Sequence, residues 1–146
     1  MGQINEEELL NAWPGIRIDA DNAAFYRGLL ERQLLIHRCD DCQHWHHPPR
    51  PLCPKCWSTT ITATPVSGNG FVALVTTIRS GRDQPGVSYA DGYPLVAIEL
   101  DEQPGLRVTG TIPHAASEAI EVGDRVRMIW RDIEGRPPQP DFEIVR

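Results

Sequence analysis

All four cysteines of this 146-residue chain fall between Cys39 and Cys56. They form two C-x-x-C pairs, Cys39-Asp40-Asp41-Cys42 and Cys53-Pro54-Lys55-Cys56, with ten residues between them. A C-x-x-C turn aims two sulfurs at one point. Two such turns facing each other make the tetrahedral four-sulfur set that zinc accepts in structural sites, and ten residues suffice for a small hairpin joining them. Two disulfides would instead require an oxidising compartment, and no signal peptide is visible at the N-terminus. A thioredoxin-like redox pair needs a single C-x-x-C beside a βαβ pattern. Iron takes the same donor set, and a coloured, redox-active protein would mark it. The reading adopted is one closed structural Zn2+ on Cys39, Cys42, Cys53 and Cys56. His44, His46 and His47 lie between the pairs. With four thiolates already present, they are expected as surface residues of the hairpin.

The charge balance narrows the function. Net charge is -6 with a pI near 5.3, which opposes a nucleic-acid module, since those carry a basic face. The 14 cationic residues are arginines except for Lys55, and arginine forks read phosphate well. No apolar run approaches the roughly 20 residues that span a bilayer. No nucleic-acid or membrane partner is therefore expected, and a cytoplasmic location is.

Three segments are expected: helical from 1 to 32, zinc ribbon from 33 to 58, and a small β-barrel from 59 to 146. Asn5 can cap a first helix carrying Glu6, Glu7 and Glu8 in its first turn and Leu9, Leu10 and Trp13 on one face. Pro14-Gly15 ends it. Asp21 or Asn22 can cap a second helix with Phe25, Tyr26, Leu29 and Leu30 on one side, and Gly28 weakens its interior. Residues 33–38 read as a strand entering the first cysteine pair. Strands are then expected over 59–66, 71–79, 95–100, 105–112, 125–130 and 142–145. Turns are expected at Ser67-Gly68-Asn69-Gly70 and Val122-Gly123-Asp124, and loops over 80–92 and 137–140. The fold class is mainly β with N-terminal helices, a rubredoxin-like zinc ribbon followed by an OB-type Greek-key barrel.

Catalytic signatures are missing. There is no G-x-S-x-G elbow and no phosphate-cradling P-loop. The pairs Asp40-Asp41 and Asp101-Glu102 fall in turns and read as solvated. With its cysteines committed to zinc, the chain reads as a binding module rather than a self-sufficient enzyme.

The order of parts resembles a known family. Phe25-Tyr26-Arg27-Gly28-Leu29, then Leu35-Ile36-His37-Arg38-Cys39 through Cys56, then Pro65-Val66-Ser67-Gly68-Asn69-Gly70 carry the resemblance. Tyr93-Pro94-Leu95-Val96-Ala97-Ile98-Glu99-Leu100 and Ile120-Glu121-Val122-Gly123-Asp124-Arg125-Val126 continue it. The chain is similar to the small zinc-ribbon/OB-fold proteins long catalogued as a domain of unknown function and associated with acyl-CoA metabolism. It departs from many of them in carrying Ala63 and Thr64 where a Trp precedes the Ser-Gly turn. The resemblance implies an accessory subunit that binds or positions acyl-CoA thioesters. The implied partner is a thiolase-like enzyme, including sterol-carrier-type thiolases acting as aldolases, or a hot-dog-fold enoyl-CoA hydratase, in steroid side-chain or fatty-acyl degradation. Arg50, Arg79 and Arg82 are singled out for the CoA phosphates. Trp13, Phe25, Tyr26 and the 80–92 loop are singled out for partner contact. The competing reading is a nucleic-acid-binding ribbon and OB protein.

Overall fold

The computed structural model describes residues 4–146. They form two compact units: residues up to Val66 together with Arg136–Pro138, and Ser67–Gly135 together with Gln139–Arg146.

In the first unit, helix α1 (Glu6–Ala12) opens on a reciprocal cap. The Asn5 carboxamide oxygen accepts from the Glu8 amide at 2.8 Å, and the Asn5 amide donates back to the Glu8 carboxylate at 2.9 Å. Three glutamates in the first turn complement the helix dipole. Of the expected apolar face, Leu9 is buried but Leu10 is exposed. Helix α2 (Ala23–Leu30) has Asn22 at its cap position, yet that side chain makes no cap bond. It accepts instead from the Asp19 amide, while the Asp19 carboxylate accepts from the amides of Asp21 and Asn22. The turn before the helix, not the helix end, is what these polar residues close. Gly28 has a packing reason. A Cβ there would meet the Gln33 carbonyl and the Leu35 side chain at 2.9 Å, so its absence lets the chain leaving α2 fold back against it.

That chain enters a three-stranded antiparallel sheet of order β2-β1-β3, with β1 (Leu35–Cys39) in the centre, β2 being Trp45–His46 and β3 Ile61–Pro65. Five consecutive pairs, from Leu35 opposite Pro65 to Cys39 opposite Ile61, hold β3 to β1. The residues expected to open the barrel thus complete the sheet of the ribbon, and the first unit runs to Val66 rather than ending after residue 58.

The second unit is a five-stranded antiparallel sheet of order β6-β5-β4-β7-β8. Its strands are β4 (Asn69–Ile78), β5 (Tyr93–Leu100), β6 (Arg107–Gly110), β7 (Arg125–Arg131) and β8 (Gln139–Ile144), with a 3-10 turn at Ser117–Ala119. Three strands run in sequence and the fourth, β7, returns beside the first, which is the Greek-key order expected. A register shift between Val72 and Leu74 bends β4. The edges approach where the Phe142 amide donates to the Thr111 carbonyl at 3.0 Å. Val72, Val96, Ile98, Leu100, Val108, Ile112, Val126 and Phe142 fill the interior. Along β5 the buried positions are Pro94, Val96, Ile98 and Leu100, the two-residue period of a half-buried strand. β8 begins at Gln139, earlier than the sequence suggests, and takes in Pro140. An edge strand tolerates a proline because its outer side needs no amide donor. No helix among the described residues is long and apolar enough to cross a membrane.

Candidate functional site

The two cysteine turns have the same backbone. In each, the first cysteine's carbonyl accepts from the amide after the second cysteine: Gln43 to Cys39 and Trp57 to Cys53, both at 2.9 Å. Each first cysteine's amide donates one residue further on, Cys39 to the His44 carbonyl and Cys53 to the Ser58 carbonyl, again at 2.9 Å. Amides also reach the sulfurs, Cys42 to Cys39 Sγ at 3.5 Å and Lys55 to Cys53 Sγ at 3.4 Å.

The four sulfurs converge to within 4.8 Å of one another. Cys39 and Cys56 are 3.5 Å apart, and Cys42 and Cys53 3.6 Å. A disulfide would need about 2.05 Å, whereas zinc at about 2.3 Å from each sulfur sets tetrahedral edges near 3.8 Å. Electrostatics agree. The Cys42 amide is foremost in holding the Cys39 thiol below its ordinary value. Burial pushes Cys53 up, but the amides of Cys56 and Lys55 outweigh it and leave this thiol at about 7. The Ser58 amide favours a Cys56 thiolate, yet burial and the sulfurs of Cys39, Cys42 and Cys53 push it up to about 12. Thiolates this close repel unless a cation sits among them. The donor set fits Zn2+, and the cofactor of this rubredoxin-like ribbon is zinc. Four protein ligands leave no position for water, so the ion would supply folding energy rather than Lewis-acid chemistry.

Two of the histidines between the turns, His46 and His47, correct the sequence reading. His46 lies on β2 opposite His37 of β1, and both are buried. Their rings meet edge to face at 5.6 Å. His47 packs on Phe25 at 5.2 Å, and the aromatic series continues from Phe25 to Tyr26 to Trp13. The helix aromatics singled out for partner contact are therefore engaged with one another and with the ribbon. Burial lowers all three imidazoles, His47 to about 4, and they are neutral at pH 7. Alternation along two short strands signals a face but not what covers it. Asp40 and Asp41 are not merely solvated either: Asp40 accepts from the Thr62 hydroxyl at 2.8 Å, and Asp41 from the Ser58 hydroxyl.

In the second unit a cleft of about 690 Å3 opens beside β5, lined by Tyr93, Thr111, His114, Glu118 and Arg131 among others. Sequence reasoning missed it. Arg131 on its wall is tied by Nε to the fully buried Asp141 at 2.6 Å. Asp141 also accepts from the Thr111 amide at 3.1 Å and the Gln139 side chain at 2.9 Å. Burial nevertheless pushes its carboxyl up. Arg131 belongs to the alternating arginines of β7. Arg125 and Arg127 pair with Asp101 and Glu143. Arg125 spends both outer nitrogens on Asp101 and Arg127 its Nε on Glu143, while Arg131 turns its outer nitrogens toward Gly86 and Tyr93 on the cleft wall.

Arg79 and Arg82 lie at the end of β4 and in the loop beyond it, both exposed. Gly92, which lines the cleft, lies beside Arg79: a Cβ built there would be 3.7 Å from Arg79 Nη1. Arg50 is exposed on the first unit, and its backbone favours the charged forms of His37 and His46. No ion pair engages these three guanidinium groups among the described residues.

Comparison with known proteins adds the following. Residues 27–62 match the family described as ChsH2, rubredoxin-like zinc ribbon domain. Over 109 residues the chain is 32% identical to a DUF35 domain-containing scaffold protein of Pyrococcus furiosus, covering 75% of this chain and 77% of the relative. It is 29% identical over 129 residues to a probable enoyl-CoA hydratase alpha subunit of Thermomonospora curvata, taking in 88% of this chain but spanning only 39% of that protein. Among solved structures, a chain of the Ltp2-ChsH2(DUF35) aldolase superposes with a TM-score of 0.77 at 28% identity, over 88% of this chain and 98% of that one. A DUF35 protein of Sulfolobus solfataricus shares the fold, with a TM-score of 0.57 at 16% identity, over 84% of this chain and 87% of that one.

Proposed function

Because this chain belongs to the DUF35 family of scaffold proteins, we propose that it is a non-catalytic accessory subunit of an acyl-CoA-processing enzyme. In this reading it binds or positions acyl-CoA thioesters for a thiolase-like partner, or for a hot-dog-fold hydratase, in steroid side-chain or fatty-acyl degradation. Cys39, Cys42, Cys53 and Cys56 hold one structural zinc and fix the ribbon. The observation that carries the proposal is the likeness over 98% of a chain from an aldolase assembly. Two features of the second unit support the ligand half. The cleft is of a size that takes a small-molecule group, and Arg79 stands beside one of its lining residues with no carboxylate partner among the described residues. Arg79 and Arg82 would receive phosphate oxygens there, and Arg50, on the first unit, is the third candidate.

Coexpression with the cognate thiolase-like or hydratase subunit, followed by size-exclusion chromatography and an activity assay, tests the reading. A co-eluting complex whose activity depends on this chain is the expected result. Separate elution at micromolar concentration, with equal enzyme activity in its absence, overturns it. Charge reversal of Arg50, Arg79 and Arg82 together is expected to weaken CoA-thioester binding by the assembled complex. Unchanged affinity removes the phosphate assignment alone.

A further inference from the structure

Trp57 stands at a backbone φ of 65°, the left-handed region where a Cβ is crowded and glycine is the ordinary occupant. Gln43, at the corresponding place in the first turn, has a φ of 66° but uses its side chain locally: its Nε2 donates to the Asp40 carbonyl at 2.9 Å. Trp57 gains nothing comparable. It is 76% exposed, and among the described residues no aromatic or cation contact engages its ring. The turn needs the left-handed backbone but not the indole, and a strained position that keeps a large side chain glycine would spare is a pointer to function.

The surroundings say what kind. Leu52 is also exposed, as are Arg50, Pro51, Pro54 and Lys55. From Gln43 to Arg82 the sequence contains no Asp or Glu, in a protein of net charge -6. A turn held by main-chain hydrogen bonds on both sides of Cys53 thus presents a large aromatic, a leucine and cations, and the one carboxylate the structure sets against it, Asp41, accepts from the Ser58 hydroxyl. That is the composition of an interface anchor, an aromatic that fills a pocket with charges at its rim.

We propose that the second cysteine turn is the docking element for the enzyme subunit. Trp57 and Leu52 enter an apolar socket on that subunit whose rim carries carboxylates facing Lys55 and Arg50. The proposal rests on the accessory-subunit reading above and adds the surface through which it works. A second copy of this chain is disfavoured as occupant, because a two-fold contact through this patch would set Lys55 and Arg50 against themselves. A nucleic acid is disfavoured by the net negative charge.

The test uses the coexpressed complex and compares the wild type with Trp57→Gly and Lys55→Glu. Trp57→Gly is expected to keep its zinc and its unfolding midpoint, or to raise the latter, while weakening the complex by about 30-fold, the scale of a lost hot spot. Lys55→Glu is expected to slow association, most of all at low salt. Unchanged affinity of Trp57→Gly beside a wild-type complex overturns the docking assignment alone. Failure of the wild type to form any complex overturns the accessory reading and this proposal with it. Self-association, or retention of a single-stranded oligonucleotide, that disappears in Trp57→Gly also overturns it, in favour of those occupants.

Discussion

The residue after each C-x-x-C pair, Gln43 or Trp57, donates its amide to the first cysteine's carbonyl at 2.9 Å and adopts a left-handed backbone. The likeness of the two turns is confined to such main-chain hydrogen bonds. Around the first, Asp40 reaches Thr62, Asp41 reaches Ser58, and Gln43 folds back on Asp40. Arg38 lies 4.9 Å over the Trp45 ring and donates to the Gln43 carbonyl. Around the second, Leu52, Pro54, Lys55 and Trp57 stay in solvent. A metal dictates where sulfurs and amides go and leaves the intervening side chains free. One turn has used that freedom to knit the ribbon together, and the other to present a surface.

The largest expected effect treats the turns as equals. Cys42→Ser and Cys56→Ser should each abolish stoichiometric zinc and unfold the ribbon, since metal binding contributes on the order of 10 kcal/mol of folding free energy in isolated zinc-finger peptides. Metal analysis and amide hydrogen exchange read this out. Retention of zinc by one variant but not the other would show that the turns differ even at the metal.

Next in size is a pH effect in the hairpin joining the turns. Burial foremost, then the neighbouring His37 and His46, hold His47 down at about 4, whereas an unfolded histidine titrates near 6.5. Between those values the unfolded chain binds the proton and the fold does not. Stability is therefore full above about pH 6.5 and falls as the pH drops toward 4, by up to about 3 kcal/mol from this residue. Denaturant midpoints at the two ends of that range, with zinc saturating, should show His47→Leu to be less acid-sensitive than the wild type. Equal slopes would mean that the imidazole is solvated.

Single side chains then separate the turns. Asp41→Ala removes the hydrogen bond to Ser58 and should cost about 1 kcal/mol, while Lys55→Ala should fall within about 0.5 kcal/mol of the wild type. Chemical denaturation decides it, and a Lys55 effect as large as that of Asp41 would erase the contrast.

The smallest effect carries the opposite sign. Trp57→Gly relieves left-handed strain of about 1–2 kcal/mol but frees the unfolded chain by about 0.4–1 kcal/mol, so a net stabilisation of about 0.5–1 kcal/mol is expected. Gln43→Gly should gain less, because it also loses the bond to Asp40. A destabilised Trp57→Gly in thermal melts would reveal contacts of the indole within the chain.

Features that depend on residues adjacent in the chain were determined by the sequence. The C-x-x-C spacing specified the zinc centre, Asn5 with Glu8 specified the start of α1, and apolar and β-branched runs between turn residues specified the strands β4, β5 and β7. Features that depend on which distant segments meet were decided by the tertiary structure. Only the register that sets Ile61–Pro65 against Leu35–Cys39 gives β3 to the ribbon. The strand pairing of β1 and β2 brings His37 to His46, and packing turns His46, an expected surface residue, into a buried one. The β7–β8 register places Asp141 diagonal to Arg131, making a buried pair beside a cleft out of what reads as one more surface arginine. Trp57 shows the same division at one residue. Its left-handed backbone follows from the turn that the cysteine spacing encodes, but whether an indole there is covered or bare depends on what else the chain lays against it, and the described residues leave it largely exposed.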